Sequence, residues 1–192
     1  MRVQVAKFVV FAVCVLPTFA FAQLEVSGGW SHLTGNNGLN GFSGEAGYEF
    51  NRKVVLVGQG SFLWNTSKLS SFDLVPSTGS VRIKSNEQNY LFGGRVRLTG
   101  WKATRGLQRK KLLPFGELLF GWSRLHQEIK DVTGTISASA SDRAFTWLLG
   151  GGLDYRLSSR WYARGNLDYV RTHFADQGQN RLRIGIGLVY IF

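Results

Sequence analysis

The residues with chemical potential are few and far apart. Three histidines, His32, His126 and His173, are the candidate general bases. None lies two residues before a serine, and Gly121-Trp-Ser123 lacks the second glycine of a nucleophile elbow. No base–nucleophile pair is legible, so no catalytic residue is assigned and the chain is read as not an enzyme. The histidines are too widely separated for a metal set, and Glu128 and Asp131 beside His126 read as a hydrated loop. The one cysteine, Cys14, lies in the N-terminal segment. No cofactor is expected.

The charges are better organised. Glu45, Glu49, Arg95, Arg97, Glu117, Asp154, Arg164, Asp168, Arg181 and Arg183 all fall on one parity of alternating segments, with both signs interleaved. Such an arrangement predicts an interior ion-pair network, since an unpaired buried charge is costly. On the opposite parity stand Arg124, Arg143 and Arg171, whose guanidinium forks suit phosphate groups. A third cluster, Lys102, Arg105, Arg109, Lys110 and Lys111, crowds one connector without an acid.

These side chains need strands to position them. Period two runs through 24–33, 40–50, 53–64, 88–99, 112–124, 143–156, 161–172 and 181–192. In the last, Leu182, Ile184, Ile186, Leu188, Tyr190 and Phe192 oppose Arg181, Arg183, Gly185 and Gly187. Segments of this length suit tilted strands crossing a bilayer. Aromatics band at both ends of the apolar parity: Phe50, Tyr155, Trp161, Tyr190 and Phe192 at one, Trp30, Trp64, Tyr90, Trp122, Trp147 and Tyr169 at the other. Membrane interfaces select such girdles, and a soluble core does not.

The connectors alternate in length. Asn51-Arg52 and Leu157 to Arg160 are short, and Gly100 to Lys111 is the long, basic exception on the same side as the termini. Thr34–Leu39, Asn65–Glu87, Leu125–Asp142 and His173–Asn180 fall on the other side, as long outer loops do. Ser/Thr-rich 65–87 and 125–142 could meet an extracellular partner.

Composition agrees. Of 192 residues 24 are glycine, 14% are aromatic and 44% are hydrophobic, too apolar for a disordered basic tail. Lys+Arg 23 against Asp+Glu 12 leaves +11, which in an exported chain points to anionic lipid or cell wall rather than nucleic acid. Residues 1–22 read as a secretory signal: Arg2 and Lys7, an apolar run from Phe8 to Leu16, then Ala20-Phe21-Ala22 as the cleavage site. The expected architecture is all-β, an eight-stranded antiparallel up-and-down transmembrane barrel over 23–192.

Three stretches carry a family resemblance. Arg181-Leu-Arg-Ile-Gly-Ile-Gly-Leu-Val-Tyr-Ile-Phe192 resembles the C-terminal strand of outer-membrane barrels. Gly150-Gly-Gly-Leu-Asp-Tyr-Arg-Leu-Ser-Ser-Arg-Trp-Tyr-Ala-Arg164, with Leu167-Asp168-Tyr169, is similar to the sixth-to-seventh-strand hairpin of the small OmpA-like barrel family. Pro114-Phe-Gly-Glu-Leu-Leu-Phe-Gly121 resembles that family's fifth strand. The resemblance implies a place in the bacterial outer membrane, contact with lipopolysaccharide, and insertion by the barrel-assembly machinery, with Tyr190 and Phe192 in the recognised signal. The family's namesake continues into a peptidoglycan-binding domain, whereas this sequence stops at Phe192, so that anchoring is not expected. A structural or interactive role without an open pore follows; a narrow ion channel and a lipid A- or phospholipid-modifying enzyme are the alternatives.

Overall fold

A computed structural model describes residues 23–35, 38–51, 53–70, 80–99, 104, 106–107, 111–130, 136–174 and 177–192. The expected signal segment and most of the basic connector, Lys102, Arg105, Arg109 and Lys110 included, lie outside them.

Eight strands follow one another: β1 (Leu24–Leu33), β2 (Leu39–Asn51), β3 (Val54–Ser70), β4 (Ser80–Arg97), β5 (Leu112–Lys130), β6 (Ile136–Arg156), β7 (Trp161–Phe174) and β8 (Gln177–Ile191). Each pairs antiparallel with its sequence neighbour, and β1 pairs with β8 to close the barrel. The Phe192 N–H donates to Leu24 O at 3.0 Å, so both ends of the sheet meet at one pole. Closure leaves no open sheet edge along the wall, which a bilayer requires.

The ladder is staggered. From Gly152 the register runs through Asn166, Gly185, Ser31, Gly41, Leu63, Glu87 and Leu125 and returns to β6 at Asp142, ten residues earlier in the chain. Strands so sheared must tilt, and the tilt sets the width of the lumen.

Polarity is inverted with respect to a soluble barrel. Trp122 is 67% exposed and Ile186 65%, while Arg95 and Asp168 are fully buried. The charged parity faces inward and the apolar parity faces lipid. Apolar side chains also enter the lumen: Leu33, Leu63, Leu91, Leu119, Leu148 and Val170 form a buried cluster among the polar groups. Alternation along the strands carries little sign of that layer, because strands of a small barrel admit either polarity inside.

The outer connectors are shorter than expected. Residues 65–87 hold the continuing ladder from Asn65↔Ser85 to Ser70↔Ser80, 125–142 pair as far as Lys130↔Ile136, and 173–180 pair to Phe174↔Gln177. The reason is physical. Hydrophobic alternation reports burial of one face, and beyond the bilayer both faces are wet while ladder hydrogen bonds continue. On the terminal side the turns are tight: Asn51 Oδ1 accepts from the N–H groups of Lys53 (2.8 Å) and Val54 (2.9 Å). Ser158 Oγ accepts from the Trp161 N–H at 3.2 Å.

Candidate functional site: the luminal network and the outer rim

The lumen is built in tiers. Nearest the termini, Arg95 on β4 reaches three other strands. Its Nη1 lies 2.5 Å from Glu25 Oε1, and its Nη2 lies 2.5 Å from Glu45 Oε2 and 2.6 Å from Glu117 Oε2. Arg97 joins Glu25 (2.5 Å) to Glu49 (2.7 Å). Arg164 forks onto Asp154, Nε to Oδ1 at 2.7 Å and Nη2 to Oδ2 at 2.9 Å, while its Nη1 reaches Glu45 at 2.8 Å. The Phe115 ring lies 4.7 Å from the Arg95 guanidinium carbon and 4.9 Å from that of Arg164. It thereby separates two like charges with a polarisable face.

In the middle tier Arg183 donates to Asp168 Oδ2 from Nε (2.9 Å) and Nη2 (2.7 Å), and its Nη1 crosses to Gln59 Oε1 at 2.5 Å. Asn166 Nδ2 donates to the same carboxylate. Towards the far pole a seam of hydroxyls and amides links Ser61, Asn89, Ser123, Thr146 and Thr172. The outermost tier pairs Arg181 with Glu87 at 2.6 and 2.9 Å. Above it opens a polar well of about 370 Å³ lined by Ser85, Glu87, Gln127, Gln179, Asn180 and Arg181 among others.

All ten charged residues assigned to the interior thus lie there, and each makes an ion pair. Three partners escaped sequence reasoning. Glu25 shares its parity with Ser27 and Ser31, which was a usable signal; Glu87 fell inside a supposed loop, and Gln59 carries no charge. Within the described lumen seven carboxylates (Glu25, Glu45, Glu49, Glu87, Glu117, Asp154, Asp168) face five guanidiniums (Arg95, Arg97, Arg164, Arg181, Arg183). Among the described residues, no hydrogen-bond partner meets the buried Glu117 Oε1 or Asp168 Oδ1. Glu117, Gly150 and Asp168 occupy one register row, and the Asp168 carboxylate leans over Gly150, where a Cβ would collide with it.

The outward face has its own order. Arg124 and Arg143 are direct cross-strand neighbours, both exposed, and neither makes an ion pair with a described residue. Arg171 stands apart, opposite Trp147 and Asn180, with its guanidinium beside Gly178. The aromatic bands are contiguous: Trp30, Phe42 and Trp64 touch at one end, and Trp161, Tyr190 and Phe192 at the other.

One constellation was invisible in the sequence. His126 faces Ser141 across β5–β6, with Nδ1 3.1 Å from Ser141 Oγ, and its Nε2 lies 3.4 Å from Glu128 Oε1. The His126 side chain is 40% exposed. Water competes for every member of this relay, which weakens its polarisation. His32 Nδ1 contacts Asn40 Oδ1 at 2.8 Å instead. Among the described residues no group of three or more His, Cys, Asp or Glu could hold a metal ion.

Comparison with known proteins places this geometry. A major outer membrane protein from Thermus thermophilus superposes with a TM-score of 0.61 at 12% identity, covering 89% of this chain and 99% of that one. Ail, the attachment invasion locus protein of Yersinia pestis, solved with the heparin analogue sucrose octasulfate, gives 0.57 at 16% over 89% and 99%. OprG from Pseudomonas aeruginosa gives 0.50 at 12% over 89% and 96%. At such identities the likeness is one of fold. No curated protein matches the sequence. The family model for the outer membrane protein beta-barrel domain matches residues 8–192, nearly the whole chain, and with the closed, inverted eight-stranded barrel it makes this protein a member of that outer-membrane family.

Proposed function

We propose that the protein is a closed barrel with a structural and interactive role in the outer membrane, neither an open pore nor an enzyme. The occupied lumen carries this reading. Arg95, Arg164 and Arg183 each span it, and eight strands leave room for little beyond side chains. Planar-bilayer recording tests it: the purified barrel is silent, and steady conductance steps overturn the closed reading. A second reading, a narrow cation path, draws on the surplus of carboxylates and the unpartnered Glu117 Oε1 and Asp168 Oδ1. Cation-selective current abolished by Asp168→Asn would establish it instead.

The interactive part rests on the two poles. Beyond the wall, β3 to β6 continue as paired hairpins, up to Ser70↔Ser80 and Lys130↔Ile136, and give an extracellular partner a ready surface. Arg124 and Arg143 as a pair, and Arg171 separately on β7, meet lipopolysaccharide phosphates in this reading. Lys111, described at the pole where the chain ends meet, contacts anionic cell wall in this reading, as do the basic residues of the connector sequence 100–111. Tyr190 and Phe192 serve the barrel-assembly machinery, and residues 1–22 direct export and are removed after Ala22.

A further inference from the structure

Two like charges placed directly across an antiparallel pair repel, and neither the Arg124 nor the Arg143 guanidinium makes an ion pair with a described residue, the Asp142 carboxylate accepting instead from the Arg143 backbone N–H at 2.7 Å. Their register row runs Phe62↔Gln88↔Arg124↔Arg143. A shallow pocket of about 260 Å³ opens on the outer surface here, lined by Phe62, Asn86, Gln88, Arg124 and His126. It offers a cation, an imidazole and two amides, the groups that bind a phosphate attached to a sugar.

The next outward row towards the bilayer centre is Gly44↔Gly60↔Tyr90↔Trp122, followed by Ala46↔Gly58↔Phe92↔Phe120. Here the wall carries a second groove, about 580 Å³, floored by Gly44, Ala46, Gly58 and Gly60 and walled by Tyr90, Phe92 and Trp122. A Cβ built on Gly58 or Gly60 meets no atom within 4 Å. So the wall is hollow where its neighbours are bulky, and the hollow ends beneath the cationic pocket. An acyl chain running down from a headgroup matches that shape, and in lipid an empty groove would forfeit contact along its lining.

We propose that the two grooves form one binding site for a phosphorylated glycolipid of the outer leaflet. The phosphate lies across Arg124 and Arg143, the sugar against Asn86, Gln88 and His126, and one acyl chain along Gly60 and Gly58. This rests on the lipopolysaccharide contact proposed above and adds the chain slot and the sugar-side amides.

The test is native mass spectrometry of the intact barrel, extracted in mild detergent and titrated with purified lipid A or phosphatidylglycerol. The wild type retains one lipid A and holds it at least tenfold more tightly than phosphatidylglycerol; equal retention overturns the glycolipid assignment. R124Q/R143Q lowers lipid A retention about tenfold, the weight of one charge-assisted hydrogen bond. G58I/G60I fills the slot, leaves the heat-dependent gel shift unchanged, and lowers retention as strongly. If the arginine variant loses lipid A and the filled variant does not, the slot is wrong while the phosphate contact stands. If neither loses it, both fall.

Discussion

Arg95 Nη1 lies 2.5 Å from Glu25 Oε1 although the two residues are 70 positions apart. They sit on β4 and β1, which share no ladder, so the pair is a bond across the lumen rather than along the wall. It ties opposite sides of the barrel together at the pole where the chain ends meet.

Arg95→Ala leaves Glu25, Glu45 and Glu117 without their shared cation. The expected cost is about 3–5 kcal/mol, the range for removing one partner of a buried ion pair. A lower unfolding temperature in detergent, read by heat-dependent gel mobility, is the measure. An unchanged value would show that the pairing contributes nothing to stability.

Glu117→Gln takes away only one of three carboxylates on Arg95, and the one whose Oε1 has no partner. The change is therefore expected within about 1 kcal/mol of wild type, in either direction. The contrast with Arg95→Ala is the informative quantity, and equal losses would contradict the asymmetric network.

Gly150→Ala puts a Cβ onto the Asp168 carboxylate, which must swing away from Arg183. A loss of about 1–3 kcal/mol follows, typical of overpacking. Gly165→Ala, on the outward face of β7, meets nothing within 4 Å and stays within about 0.5 kcal/mol. Both are measured by the same thermal assay.

Ser141→Ala and His126→Ala remove the exposed serine–histidine contact. Lipid A and phospholipid profiles of expressing cells, by mass spectrometry, stay identical with either variant and with wild type. A deacylated species made by wild type and lost in Ser141→Ala would establish an enzyme.

Phe192→Ala removes the last ring of the stack with Tyr190 (4.8 Å) and Trp161, beside the seam that β1 and β8 close. The folded share in the outer-membrane fraction falls while the purified, refolded barrel keeps its gel shift. Equal folded shares in cells would remove Phe192 from the assembly signal.

For the charged residues and the aromatic bands, the side facing lumen or lipid was legible in the chain alone, whereas the luminal apolar layer of Leu33, Leu63 and Leu148 was not. Alternation along one strand is a local property, so Ile184, Ile186 and Leu188 against Arg183 and Gly185 is enough to orient β8. The strand number and the two aromatic bands were legible for the same reason. Partner choice inside the lumen was not. That Arg181 takes Glu87 and that Arg183 reaches Gln59 follows from the ten-residue stagger, which brings distant strands level only once the sheet is closed. The rim behaves likewise: Arg124 against Arg143, and Ser141 against His126, are products of β5–β6 register. Strand ends in water were hidden for the converse reason, because a wet ladder needs no apolar face to hold its hydrogen bonds.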